Sequence, residues 1–379
     1  MATPIINARP RGFSIVELMV AMVIALLGTI VIFQVFAVSE GIKRTTTSGG
    51  DAQQNGLLAI YSIERHAKQA GFGLNFPQML GCNVVAHDIG PPARDFDFRL
   101  VSAQIGDAAA NAPDSVTFVF GSSNVLLGPA KFFSAAALTS TAFSLDSRFG
   151  FNLGDLILAA EVGSAKNCAM RQATGLPVAP GNDVAHVSGT FVDAIGATLP
   201  ARYNKPAGLS VAYTTWDNTA QTGGRLFSLG AAPGVVTYSI ANGQLQMQNF
   251  IASPNQDVIA DNIVQMQAEY GRDTTGIADG TVDIWDNAAP TWDDVAELWN
   301  TPAFADDWSR VLAIRVAVVA RSALAERPNP ATGLCETTTV EPTWSRGVLT
   351  VSGDPSWQCY RYKVYETVVP LRNQIWMQP

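Results

Sequence analysis

RGFSIVELMV, residues 11–20, opens a run of 26 residues, Phe13 to Val38, in which Glu17 is the single charged side chain. A helix needs roughly 20 apolar residues to cross a bilayer, so the run is long enough. A carboxylate inside such a helix costs about 2.5–3.5 kcal/mol on insertion scales. A place near the helix start, favoured by the macrodipole, returns at most about 1 kcal/mol. Unless Glu17 is a tolerated accident, something outside its own helix must compensate it.

Arg9 and Arg11 precede the run and no acid does. The positive-inside rule therefore puts residues 1–12 in the cytoplasm and the rest outside. A secretory signal has an apolar stretch of only 7–15 residues before small residues at a cleavage site. This stretch is longer, and Val35-Phe36-Ala37 is a poor match to such a site. A plain signal anchor fits the length but gives Glu17 no role.

Charged residues make up 15% of the 379, against about 25% in ordinary soluble proteins. With plentiful Gly, Ala, Ser and Thr, this fits an exported, loop-rich β protein better than a cytosolic enzyme. The net charge of −8 gives no basic face for phosphates, so no nucleic-acid partner is expected. Cys82, Cys168, Cys335 and Cys359 all follow the apolar run, and none forms a CxxC. An even number in an exported chain reads as two disulfides, with three pairings open. Cys82–Cys168 with Cys335–Cys359 is the expected set, because each bridge then staples its own region.

Arg11-Gly12-Phe13-Ser14-Ile15-Val16-Glu17-Leu18 resembles the class III signal of type IV prepilins and the related pseudopilins. The resemblance implies that a prepilin peptidase cuts after Gly12, that the new terminus, Phe13, is N-methylated, and that Glu17 serves assembly. Cleavage would create a positive amine at Phe13, which the Glu17 of a packed neighbour can meet. Breaking such a buried pair costs about 3–5 kcal/mol, enough to fix a stagger between helices. Major pilins usually carry a kinking proline at mature position 22, where this chain has Gln34. That departure points to a minor subunit with a straighter anchor.

The resulting fold expectation is α+β, type IV pilin-like, with a long N-terminal helix packed on an antiparallel sheet. Its divisions are a leader (1–12), a membrane helix (13–38), an amphipathic continuation (39–71) and a β-rich globular domain (72–379). Leu57, Ile60, Ile63, Ala67 and Ala70 recur at helical spacing and form the expected packing face. Gly49, Gly50 and Gly56 weaken that helix, at about 1 kcal/mol each relative to alanine, and Gly71 should end it. Expected strands are Ser115–Phe120, Leu156–Ala160, Val311–Val319, one around Tyr360–Val364, and a hairpin of 235–240 with 244–250 about Asn242-Gly243. Val258–Tyr270 reads equally as helix or strand.

IERHAKQAGFG with Gly81-Cys82, then DNIVQMQAEYGRD, WSRVLAIRVAVVARS and YRYKVYETVVPLRN, resemble the minor pilins called PilW. Residues 90–255 resemble nothing identifiable. The family implies a structural, non-catalytic minor pilin that helps initiate pilus assembly in a complex at or near the filament tip. It implies as partners other minor pilins, the major pilin, the inner-membrane assembly platform and membrane lipid. It also implies an inner-membrane, periplasm-facing subunit of a Gram-negative cell that later reaches the surface. A minor pseudopilin of type II secretion, or an anchored adhesin, are the alternative readings.

Other chemistry is sparse. The histidines are His66, His87 and His186, and no HExxH, GxSxG or Walker loop occurs. His66, on the helix, reads as a solvated or packing residue. Asp273, Asp279 and Asp283 share a glycine-bearing loop that suits calcium's demand for six to eight oxygens, but without EF-hand spacing. A solvated acidic turn is the plainer reading, and no other cofactor is expected. Trp285, Trp292, Trp299 and Trp308 nearby read as packing residues.

Overall fold

The computed structural model describes residues 12–74, 76–108, 112–123, 125, 128–177, 181–275, 279–287 and 308–375. The leader residues 1–11, Trp292 and Trp299 lie outside these. Helix α1 spans Ile15–Gln69, 55 residues and about 82 Å at 1.5 Å per residue. It passes unbroken through Gln34, Gly49, Gly50 and Gly56. It ends where expected: Gly71 takes φ +79°, a left-handed conformation that costs glycine nothing.

Three larger sheets follow, and two of them are threaded by one turn and one pivot. Gly234–Ala241 and Gln244–Asn249 pair as a two-residue hairpin, with Asn242 and Gly243 at φ +54° and +71°. Ser115–Phe120 pairs with the first of these strands and Ala103–Gly106 lies beyond it. The ambiguous 258–270 segment resolves into two strands, Asp257–Asp261 and Ile263–Arg272. Asn262, at φ +57°, separates them, so the first pairs with Gln244–Asn249 and the second with Val311–Arg321. Asn262 is thus the point at which the chain leaves a five-stranded sheet for a four-stranded one.

In the four-stranded sheet, Val311–Arg321 runs between Ile263–Arg272 and Tyr362–Pro370. Its central place explains why it is apolar on both faces. Ile314, Val316, Val318 and Ala320 join the main core, which also holds Ala59, Ile63 and Ala67 of α1. On the opposite face, Ala317 and Val319 pack with Leu349 and Val351 of the C-terminal loop. The disulfide Cys335–Cys359 staples that loop.

The third sheet has six strands, all drawn from residues 83–230. Its centre, Leu156–Val162, is buried throughout, with Leu156, Leu158 and Ala160 in the main core and Ile157 and Ala159 in a second one. Asn83–Asp88 pairs in parallel with Cys168–Gln172. The buried disulfide Cys82–Cys168 ties these two strands together at their starts. Both disulfides therefore join neighbours in sequence, and no cysteine is free among the described residues.

Candidate assembly surface

α1 begins at Ile15, two residues past Phe13, and its N-terminal half is exposed. Ser14 is the N-cap residue, extended at φ −70° and ψ 146°, and Glu17 is the acid of the first turn. Ser14-x-x-Glu17 has the spacing of a capping box, yet the Ser14 side chain makes no capping hydrogen bond. Phe13 is 82% exposed, and among the described residues the Glu17 side chain makes no hydrogen bond or ion pair. Above it the apolar span is exposed on every side, and it is long and apolar enough to cross a membrane.

The docked part, from Ala52 to Ala70, packs into the main core and is held there by three side chains, Tyr365, Tyr238 and Asn373. Gly56 is the closest approach: a Cβ there would lie 2.1 Å from the Tyr365 ring. The Tyr365 hydroxyl donates to the Gln53 carbonyl at 3.2 Å. Farther along, the Tyr238 hydroxyl donates to the Ser62 carbonyl at 2.9 Å. Since that hydroxyl has one proton, His66 Nδ1–H must be the donor in its 2.6 Å bond to Tyr238. His66 also stacks on Phe120, and burial, then the Arg65 charge, lowers its pKa. At the helix end, Asn373 Nδ2 donates to the carbonyls of Ala70, Gln69 and Lys68 at 3.0, 3.3 and 3.5 Å. Those carbonyls are among the last four of a helix, which have no partner within it.

The expected packing face is therefore corrected at one position. Ile63, Ala67 and Ala70 are buried and Ile60 half-buried, but Leu57 is 51% exposed. Gly56 takes the contact, because only a residue without a side chain lets the Tyr365 ring lie against the helix. By helix propensity alone Gly56 is only a weakness. A glycine on the apolar row, between Ala52 and Ala59, was the available signal for a close approach. Of the histidines, His66 is a packing residue, while His87 pairs with Asp95 across two strands.

The acidic loop is built from within. Asp273 is buried, and its carboxylate accepts from the Thr275 hydroxyl and from the N–H groups of Asp279, Gly280 and Thr275. The Thr275 hydroxyl foremost, then those N–H groups, hold its pKa down at about 2. Asp283 accepts from Thr274, and Asp279 from Thr281 N–H. All three carboxylates thus serve as acceptors for the loop's own backbone. Among the described residues no three His, Cys, Asp or Glu side chains are grouped to hold a metal ion. Trp308 is buried against Tyr270, and Trp285 lies beneath the Arg315 guanidinium at 4.2 Å.

Residues 7–33 match the family model of the prokaryotic N-terminal methylation motif. Residues 235–373 match that of type IV pilus-assembly protein W. No curated protein and no solved structure matches the chain. Tyr238, Tyr365 and Asn373, which clasp α1, all fall in the second region, whereas every strand of the six-stranded sheet precedes it. At its two ends, then, the chain is similar to type IV pilus-assembly proteins: a methylation motif at the start, and the W protein's own region in the part that grips the helix.

Proposed function

We propose that this chain is a minor pilin that helps to initiate type IV pilus assembly, in a complex of minor pilins at or near the filament tip. The observation that carries this reading is the joining of the two matched regions through one helix. The methylation motif lies at the exposed end of α1, and the W-like region holds the other end through Tyr365, Tyr238 and Asn373. The match to a pilus-assembly protein favours this over the secretion pseudopilin.

In this reading the peptidase cuts after Gly12 and Phe13 becomes the methylated terminus. The subunit waits in the inner membrane with its β domain in the periplasm, then leaves the membrane by packing its apolar half against neighbouring helices. Glu17, in the first turn of α1 and four residues after Phe13, meets a neighbour's Phe13 amine. The role is structural.

Mass spectrometry of sheared filaments tests this directly. The expected result is a chain beginning at N-methyl-Phe13 in the filament fraction, lost on Gly12→Val. A terminus near Ala37, or absence from filaments of a piliated cell, overturns it.

A further inference from the structure

Among the described residues the strand Tyr362–Pro370 ends the four-stranded sheet, with Val311–Arg321 on one side and no strand on the other. In an antiparallel pair, alternate residues turn both backbone groups toward the partner strand. Leu371 N–H donates to Leu312 O, and Ser322 N–H to Arg361 O, which fixes the alternation: odd-numbered residues bond inward. Tyr362, Val364, Glu366 and Val368 therefore turn their N–H groups to the open edge. Among the described residues nothing accepts from these four.

Edges of this length are usually blunted, because they offer a template to any passing strand. Here the edge adjoins a second unsatisfied surface. Gln53, Leu57 and Tyr61 form one i, i+4 row of α1. Gln53 carries the bond to Tyr365, so the row flanks this strand. Leu57 and Tyr61 are 51% and 63% exposed. Unpaired backbone and an apolar stripe thus lie side by side along the helix.

Resting on the pilin reading above, we infer that the 362–370 edge is completed by an extended segment of a different subunit of the same assembly, which also covers Leu57 and Tyr61. Direction argues for a different subunit. Tyr365 lies beside Gln53 and Asn373 beside Lys68–Ala70, so strand and helix run the same way. Two copies joined antiparallel at this edge would be related by a two-fold axis normal to the sheet, the geometry of an isologous pair. Their helices would then point in opposite directions. Subunits anchored in one membrane, with their Phe13 ends on the same side, cannot meet in that way.

Hydrogen exchange of the full processed chain provides the test, comparing detergent-solubilised monomer with purified filaments that contain it. The amides of Tyr362, Val364, Glu366 and Val368 are expected to exchange at least tenfold more slowly in the filament. Equal exchange overturns the inference. Incorporation of the wild-type chain is measured first, so its failure counts against the pilin reading and not against the edge. A second arm places a thiol-linked photo-crosslinker at Val368→Cys, the other cysteines being paired. Adducts with a different pilus subunit support the inference. Adducts only with another copy of this chain, or none in filaments that contain it, overturn it.

Discussion

Replacing Gly56 by alanine separates two accounts of this glycine by the sign of their effect. If Gly56 were merely a weak point in an exposed helix, alanine would stabilise by about 1 kcal/mol. In the structure the new Cβ falls 2.1 and 2.4 Å from two atoms of the Tyr365 ring, well over 1 Å short of ordinary van der Waals contact. Relieving that overlap costs about 1–3 kcal/mol, the usual range for overpacking. Moving the ring also breaks the Tyr365–Gln53 hydrogen bond, at about 1 kcal/mol. Set against the propensity gain, Gly56→Ala is expected to destabilise by about 1–3 kcal/mol. In a domain of this size that lowers Tm by several degrees, at about 2–4 °C per kcal/mol. The assay is circular-dichroism melting of the intact chain in detergent. In a Tyr365→Ala background the same change should become stabilising, by about 1 kcal/mol. A Tm that rises with Gly56→Ala alone would refute the close-approach argument.

Glu17→Ala removes the membrane penalty, so insertion and cleavage after Gly12 should be intact. Surface pili should nonetheless fall, since a lost buried pair of about 3–5 kcal/mol is a hundredfold or more in assembly; normal piliation would leave the carboxylate unexplained. His186 is buried, and burial, then the Arg171 charge, lowers its pKa from 6.5 to about 4. Because the folded value is the lower one, its neutral form stabilises fully above pH 6.5. That stability is lost as pH falls toward 4, by about 3 kcal/mol in all. Denaturant titrations across this window should show the slope, and His186→Phe should flatten it. The Cys335–Cys359 bridge spans a sequence separation of 24 and should stabilise by about 3–4 kcal/mol. Peptide mapping without reduction should find no free thiol, and alkylated Cys335 would contradict the pairing. Asn373→Ala strips the end of α1 of its side-chain donor and should cost about 1 kcal/mol by thermal melting.

Much of the plan could be read from local pattern. The apolar run with one carboxylate, the Asn242-Gly243 turn and the stop at Gly71 each depend on a few adjacent residues whose backbone preferences are strong. Ser115–Phe120 was legible to the residue, because its run of β-branched and aromatic side chains follows the turn-forming Pro113-Asp114. The 258–270 stretch was not. Its apolar spacing suits both periods, and what divides it is Asn262 turning left-handed between two sheets. His66 was ambiguous for a related reason: the residues that make it a packing side chain, Phe120 and Tyr238, lie far away in the chain.

The residues alone were enough to place a membrane-length helix just after Gly12-Phe13, a β-rich domain behind it, and four cysteines that suffice for two bridges. Those features follow from hydropathy over a few turns, turn-forming residues and even cysteine number, none of which needs the fold. Which side of α1 is covered, and which strand ends the four-stranded sheet among the described residues, emerges only in the folded chain. Leu57 looks like a core residue until Tyr365, some 300 positions later in sequence, is seen to occupy the neighbouring glycine instead. Backbone groups of Tyr362–Pro370 that meet no partner among the described residues carry no mark in side-chain pattern, because whether a strand ends a sheet depends on what the rest of the chain places beside it.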